Sequence, residues 1–189
     1  MGSIEVLRLS PPIDSKDLED LRIGDKVLIT GVLYTARDAA HERLVAALDA
    51  GEQLPFDIEG AVIYYAGPTP AREGHPIGSV GPTTSYRMDT YAPRLIEVGL
   101  KAMIGKGARS SEVVDAMIRN RCVYLGATGG TGALIAKSVK TARVIALKEL
   151  GPEAIRRLEV VDFPAVVVND IHGGDLYSKG VAEYRIEKP

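Results

Sequence analysis

Three short stretches of the sequence concentrate cations and hydroxyls. They are TARDAAH with Arg37 and His41, GPTTSYRM with Thr83, Thr84, Ser85 and Arg87, and GKG with Lys106. A Gly-Pro turn followed by Thr83, Thr84 and Ser85 presents backbone N–H and hydroxyl donors in a small arc, a pattern suited to an anion. Arg87 adds a planar guanidinium that matches a carboxylate with two parallel hydrogen bonds. The glycines beside Lys106 strip away side-chain bulk and let a ligand approach the backbone. Arg37 reads as part of the first turn of a helix, where the positive end of the dipole disfavours a cation by some tenths of a kcal/mol. Free N–H groups and Arg37 acting together on a carboxylate or phosphate would reverse that sign. His41, four residues on, shares the face and would flank the same ligand. Each stretch also has a plain structural alternative at this level. Arg37 can be exposed and His41 structural, Thr83 to Ser85 can be a helix cap with Arg87 solvated, and Lys106 can sit at a helix C-terminus.

The elements that would position these residues follow from the hydrophobic pattern. IEVLRLSPP alternates like a strand and ends in prolines. Lys26 to Ala36 reads as a strand, with Gly31 marking a bulge or a close backbone approach. TARDAAHERLVAALDAG reads as an amphipathic helix carrying Ala40, Leu44, Ala47 and Leu48. Thr35 and Asp38 stand at capping-box spacing and Gly51 stops the helix. Gly60 to Gly67 is a buried strand. The Gly/Pro-rich PTPAREGHPIGSVGPTTS is too long for an idle connection, which points to function. A helix from Thr90 carries Leu95, Ile96, Leu100 and Met103 and runs to GKG. SSEVVDAMIRN is a short helix capped by Ser110 or Ser111, and RCVYLGAT a strand breaking into GGTGAL and a helix-like segment. LEVVDFPAVVVND supplies one or two strands and DIHGGDLYSKG a turn. Mixed strands and helices with fully apolar β-branched runs predict an α/β domain whose partly parallel sheet is covered on both faces.

Composition narrows the class. A chain of 189 residues predicts a single domain over residues 1–189, able to bury about 70% of its unfolded surface. With 23 Lys and Arg scattered singly and a net charge of −2, neither nucleic acid nor an anionic membrane is expected as a partner. The opening MGSIEV has no basic-plus-apolar leader, Val6 breaks the myristoylation signature, and no run of 18 apolar residues occurs; a cytoplasmic protein is expected.

Several motifs are set aside. GGTGAL fails as a dinucleotide fingerprint because Ile135 stands at the third glycine position, and GALIAKS fails as a P-loop. A tight turn that lets backbone approach a ligand or partner fits it better. Cys122, the lone cysteine, sits in apolar CVYL as a buried, inert thiol and excludes an internal disulfide, a CxxC zinc site or a self-contained iron–sulfur cluster. No metal site is expected in this chain. His172 reads as a turn histidine, Phe163 and Pro164 as structural, and His75 carries no assignment.

In order along the chain, ITGVLYTARDAAH, VIYYAGPTP, GPTTSYRMDTYAP, MIGKG, ATGGTGAL and VVDFPAVVVND followed by GGDLY resemble the C-terminal domain, or separate β subunit, of class I fumarases and L(+)-tartrate dehydratases. The resemblance runs from about Lys26 to Tyr177. It implies a three-layer swivelling β/β/α domain and one half of an iron–sulfur hydro-lyase. The implied cofactor is a [4Fe-4S] cluster carried by a partner α subunit, in a heterodimer or heterotetramer, with no cofactor on this chain alone. It implies that Arg37, Arg87 and Lys106 hold the carboxylates of a small dicarboxylate and that Thr83 and Thr84 line the same site. Thr83 is then the candidate proton-abstracting group. A bare hydroxyl is too weak a base near neutral pH, so a partner carboxylate must assist it. His41 belongs to the motif with its role open. The expected activity is interconversion of L-malate and fumarate. The alternatives are an L(+)-tartrate dehydratase β subunit and a non-catalytic domain that binds a small anion.

Overall fold

The computed structural model describes residues 6–128 and 130–186. The start of the first expected strand, Ile4 and Glu5, the opening residues Met1 to Ser3 and Gly129 of GGTGAL lie outside them. Among the described residues, seven strands form one mixed sheet: β1 (Val6–Leu9), β2 (Lys26–Thr35), β3 (Val62–Tyr64), β4 (Ala102–Gly105), β5 (Val123–Gly126), β6 (Val139–Ala146) and β7 (Ile155–Asn169). The same residues hold five α-helices: α1 (Asp38–Asp49), α2 (Ala92–Glu97), α3 (Ser111–Asn120), α4 (Gly132–Ala136) and α5 (Leu176–Tyr184).

The strand order is β1-β2-β3-β4-β5-β7-β6, with a further antiparallel pairing of β2 to β7. That pairing closes β2, β3, β4, β5 and β7 into a ring. β2 through β5 run parallel, so their carboxyl ends gather on one rim. The 15-residue β7 is long enough to pair with β5 at one end and β2 and β6 along the rest. Gly31 does mark a bulge, because the β2–β7 register shifts between Ile29 and Gly31.

Period-two alternation assigns the side chains of the ring. Val62, Tyr64, Ala102, Ile104, Val123 and Leu125 enter one apolar cluster with Ile29, Leu33, Leu158 and Phe163. Ile63, Tyr65, Met103, Cys122 and Tyr124 enter a second cluster with residues of α1, α2 and α3. Both faces are apolar because both are covered, as the unbroken hydrophobic runs implied. Cys122 is buried as expected.

Four expectations about elements are corrected. Thr35 caps no helix; its hydroxyl donates to the Ala154 carbonyl (3.4 Å) and accepts from the Arg156 N–H (3.1 Å), so it finishes β2. Arg37 is consequently the N-cap of α1 and not in its first turn. The helix after Thr90 ends at Glu97, since Gly99 takes φ +113° and Met103 already belongs to β4. Lys106 therefore follows a strand and not a helix. Beyond the short α4, the helix-like reading of the next segment gives way to β6, and part of the expected C-terminal turn is helix α5.

Candidate functional site

The rim formed by the carboxyl ends of β2 to β5 is where ligands bind in parallel α/β sheets, because loops diverge there and leave backbone groups free. Arg37 lies two residues beyond the end of β2, and Lys106 directly follows β4. The segment Pro82 to Ser85 is laid between the extensions of β3 and β4. Pro82 bridges Ala66, the Thr83 N–H donates to the Tyr65 carbonyl (2.6 Å), and Thr84 bridges Lys106. One continuous arc thus carries Thr83, Thr84 and Lys106.

Arg37 and Arg87 join that arc through Asp38, a carboxylate that the sequence reading gave only a capping role. Asp38 bonds Arg87 Nη2 through Oδ2, and its Oδ1 lies 3.8 Å from Arg37 Nε. Glu153, from the 3-10 turn before β7, pairs with Arg37 Nη2 at 3.2 Å. The Arg37 side chain crosses Gly67, where a Cβ would stand 2.8 Å from Nη1; any other residue there would push the guanidinium away. Two guanidiniums are balanced by two carboxylates in this cluster. Lys106, exposed and in no ion pair among the described residues, is the uncompensated charge.

The helix-cap alternative for GPTTSYRM does not hold. Thr84 precedes the 3-10 turn Ser85–Met88 without a side-chain cap bond. Among the described residues, the hydroxyls of Thr83 and Thr84 make no hydrogen bond, and both side chains are half-buried. They are uncommitted donors on the open side. Ser85 is different: it is fully buried, and its hydroxyl sits where a Cβ at position 105 would lie only 2.0 Å away, so β4 must end in Gly105.

His41 does not face the rim as a ligand group. It is buried in α1, its Nδ1–H donating to the Arg37 carbonyl at 2.9 Å. Desolvation pushes its pKa down to about 4; the Arg37 carbonyl resists this and the Arg109 charge adds to it. The ring is therefore neutral near pH 7, with Nε2 left as a bare acceptor. Tyr65 packs edge-on against it at 5.1 Å between centroids, and burial pushes that phenol up to about 12. Arg109 lies beneath, 5.3 Å from the Tyr65 ring and 5.0 Å from the Tyr124 ring, paired with Asp89 at 2.7 Å. Arg37 Nε, Asp38 Oδ1, His41 Nε2, Tyr65 Oη and Arg109 Nη2 are buried polar atoms with no hydrogen-bond partner among the described residues, so this polar layer continues inward from the arc.

A hollow of about 260 Å³ is lined by Val6, Lys26, Thr128, Ile135 and Pro164 among others, and one of about 460 Å³ by Pro68, Ile77, Val144 and Arg156 among others; neither includes the arc. The arc is an open wall. The long Pro68 to Ser85 segment closes on itself through Thr69 N–H to the Ser79 carbonyl and delivers Thr83 to that wall. GGTGAL packs against it, the Gly132 carbonyl accepting from the Val80 N–H at 3.2 Å. His172 lies in the turn after β7 with its N–H on Asp170, and His75 is exposed.

A family model described as fumarase C-terminus matches residues 3–180. The chain belongs to the fumarase C-terminus family. Members similar to it include Fumarate hydratase 2 of Leishmania major, 42% identical over 92% of this chain and 31% of that protein. The anaerobic class I fumarate hydratase of Escherichia coli K12 is 41% identical over 86% of this chain and 30% of its own length. A putative L(+)-tartrate dehydratase subunit beta of Methanocaldococcus jannaschii is 40% identical over 88% of this chain and 89% of that subunit. The chain thus spans about a third of the fumarate hydratases it matches and nearly all of the tartrate dehydratase subunit.

The donor set of this fumarase C-terminus chain does not fit the iron–sulfur cluster that the resemblance implies. Cys122 is the single cysteine, buried, with its thiol pushed up to about 12 by desolvation. Among the described residues no three His, Cys, Asp or Glu side chains are placed to hold a metal ion. Among the described residues no helix is long and apolar enough to cross a membrane. What sequence reasoning missed in the site is the carboxylates, Asp38 and Glu153, and the buried Tyr65 and Arg109; Ser85, expected among the anion donors, is instead buried with its hydroxyl bonded to Tyr124 and the Lys106 N–H. Asp38 had a usable signal, standing beside Arg37 in TARD. Glu153 had none, since only the fold brings it to Arg37.

Proposed function

We propose that this chain is the β-subunit half of a two-subunit iron–sulfur hydro-lyase that interconverts L-malate with fumarate and water. The observation that carries this reading is the arc itself. Arg37, Arg87, Lys106 and two uncommitted threonine hydroxyls share one rim of a chain from the fumarase C-terminus family. In this reading Arg37, Arg87 and Lys106 hold the carboxylates of the diacid, and Thr83 and Thr84 line the slot. Thr83 stands at the carbon-bound proton, with a partner carboxylate to raise its basicity. The ring with its two apolar clusters and helices on one face is read as the three-layer swivelling β/β/α domain.

Charge balance supports a second chain. Asp38 and Glu153 offset the two guanidiniums, so one net positive charge faces a dianion. Small dicarboxylates are held with less than full compensation only in water-rich sites, and a water-excluding site needs further cations. An open wall with Arg87 and Lys106 exposed supplies the other half of that requirement: room for an opposing surface. We assign the cluster, the missing cations and the assisting carboxylate to a cluster-bearing α subunit, in a cytoplasmic complex. The second reading, an L(+)-tartrate dehydratase β subunit, is supported by the relative of that name, 40% identical over 88% of this chain.

The test is anaerobic reconstitution with a cluster-bearing α subunit, following fumarate absorbance. Hydration of fumarate is the expected result. Turnover of tartrate without fumarate hydration would move the assignment to the second reading, and turnover of neither would leave a small-anion-binding domain.

A further inference from the structure

The backbone of Lys106 and Gly107 is held by four hydrogen bonds from outside its own strand. The Lys106 N–H donates to Ser85 Oγ (3.1 Å), and its carbonyl accepts from the Ser85 N–H (2.9 Å). The Gly107 carbonyl accepts from Tyr124 Oη (3.0 Å), and its N–H donates to Tyr177 Oη (3.1 Å). Each residue of the turn therefore has both polar backbone groups satisfied, by residues from the 3-10 turn, β5 and α5.

The hydroxyl protons can be placed by elimination. A carbonyl only accepts, so the Tyr124 proton goes to Gly107. In the 2.8 Å bond between Ser85 and Tyr124, the Ser85 proton must then go to Tyr124. Ser85 Oγ is left to accept from Lys106 N–H, which it does. Both of those hydroxyls are buried in the polar layer, and both protons are spent inside it. Tyr177 Oη is the third hydroxyl. It accepts from Gly107, and no acceptor for its own proton occurs among the described residues. Tyr177 is 43% exposed, and its hydroxyl lies against Gly107, the residue that follows Lys106.

The position of Tyr177 is not left to chance. It is the second residue of α5, whose first turn is capped by Asp175, with bonds to the Tyr177 N–H (2.8 Å) and Ser178 N–H (3.1 Å). Asp175 bridges Asn169 at the end of β7, and the Asn169 amide donates to the Gly174 carbonyl. The helix start is thus moored to the ring.

We infer that Tyr177 is a further ligand-binding residue of the dicarboxylate site, donating its phenolic proton to the carboxylate that Lys106 attracts. The assignment rests on the hydro-lyase reading for the identity of the ligand, and on the hydrogen-bond accounting for the position of the donor. A neutral donor beside the one uncompensated cation strengthens a carboxylate contact without adding charge that would have to be desolvated.

The test is Tyr177→Phe in the reconstituted complex, which keeps the ring and removes only the hydroxyl. The expected result is a KM for fumarate and malate raised about tenfold, with kcat within about twofold of wild type and an unchanged melting temperature. An unchanged KM would overturn the assignment. So would a fall in kcat and melting temperature without a KM change, because that pattern belongs to a residue that only braces the turn. Should the wild-type complex turn over no diacid, the hydro-lyase reading fails, and a second measurement decides Tyr177 separately. The chain carrying tyrosine labelled at the phenolic carbon is titrated with succinate by NMR, the Tyr177 signal being assigned by its loss in the Phe variant. A saturable shift of that signal supports the assignment, and a signal indifferent to succinate overturns it.

Discussion

In the proposed site, the guanidiniums of Arg37 and Arg87 and the ammonium of Lys106 are positioned by opposite means. The guanidiniums are placed through their own charged ends, which share Asp38, with Arg37 also leaning on Glu153. Lys106 is placed through its backbone, every polar group of which is bonded, while its ammonium stays exposed. The first arrangement fixes direction at the cost of net charge. The second keeps the charge and leaves the side chain free to choose its rotamer. A planar group that binds with two parallel bonds gains most from a fixed direction, and a compact ammonium gains least. Each residue type has the support its geometry can use.

The sharpest way to break this contrast is Arg87→Ala. It removes one guanidinium and leaves the Asp38 carboxylate facing the ligand, so a fall of at least about a thousandfold in kcat/KM is expected, with circular dichroism and melting unchanged. Near-wild-type kinetics would remove Arg87 from the site. Tyr124→Phe tests the other side. It strands the Gly107 carbonyl and the Ser85 hydroxyl in a buried layer, a loss of about 1–3 kcal/mol in urea denaturation, with a fall in kcat as the Lys106 turn loosens. Unchanged stability would show that the bonds to the turn are replaceable by water.

The smallest effect concerns His41, which supports the guanidinium side through the Arg37 carbonyl. Its folded pKa is pushed below the usual histidine value to about 4 by burial, so between those values the unfolded chain binds a proton that the folded chain refuses. Stability from this group is complete above about pH 6.5 and is lost as pH falls towards 4, by roughly 3 kcal/mol at most. His41→Asn, whose amide can reach the same carbonyl, should flatten that part of the stability profile. A variant with the wild-type slope would place the titration elsewhere.

Much of this arrangement was legible in the residues, for identifiable reasons. The bulge at Gly31, the Ser110 cap of α3, the end of α1 and the burial of Cys122 are all set within a few positions of chain. The cations and threonines of the arc were legible as types, because nothing local explained them. Thr35 was misread because its hydroxyl is claimed by Ala154 and Arg156, more than a hundred positions later. β6 was missed because Lys140, Ala142 and Arg143 suit a helix, and only pairing with β7 makes the segment a strand. Glu153, Tyr124 and Tyr177 reach the arc solely through long-range packing, so no spacing rule could place them there.

The closed ring has a bearing on how the molecule opens. A strand at the end of a sheet detaches by giving up one ladder, and β1 and β6 are held in that way. β3, β4 and β5 each sit between two neighbours, and β2 and β7 have three. Opening any of the five means breaking two seams at once, so the ring loosens as a unit or not at all. The arc on its rim inherits that indivisibility: Arg37, Thr83, Thr84 and Lys106 stay assembled until the whole ring gives way.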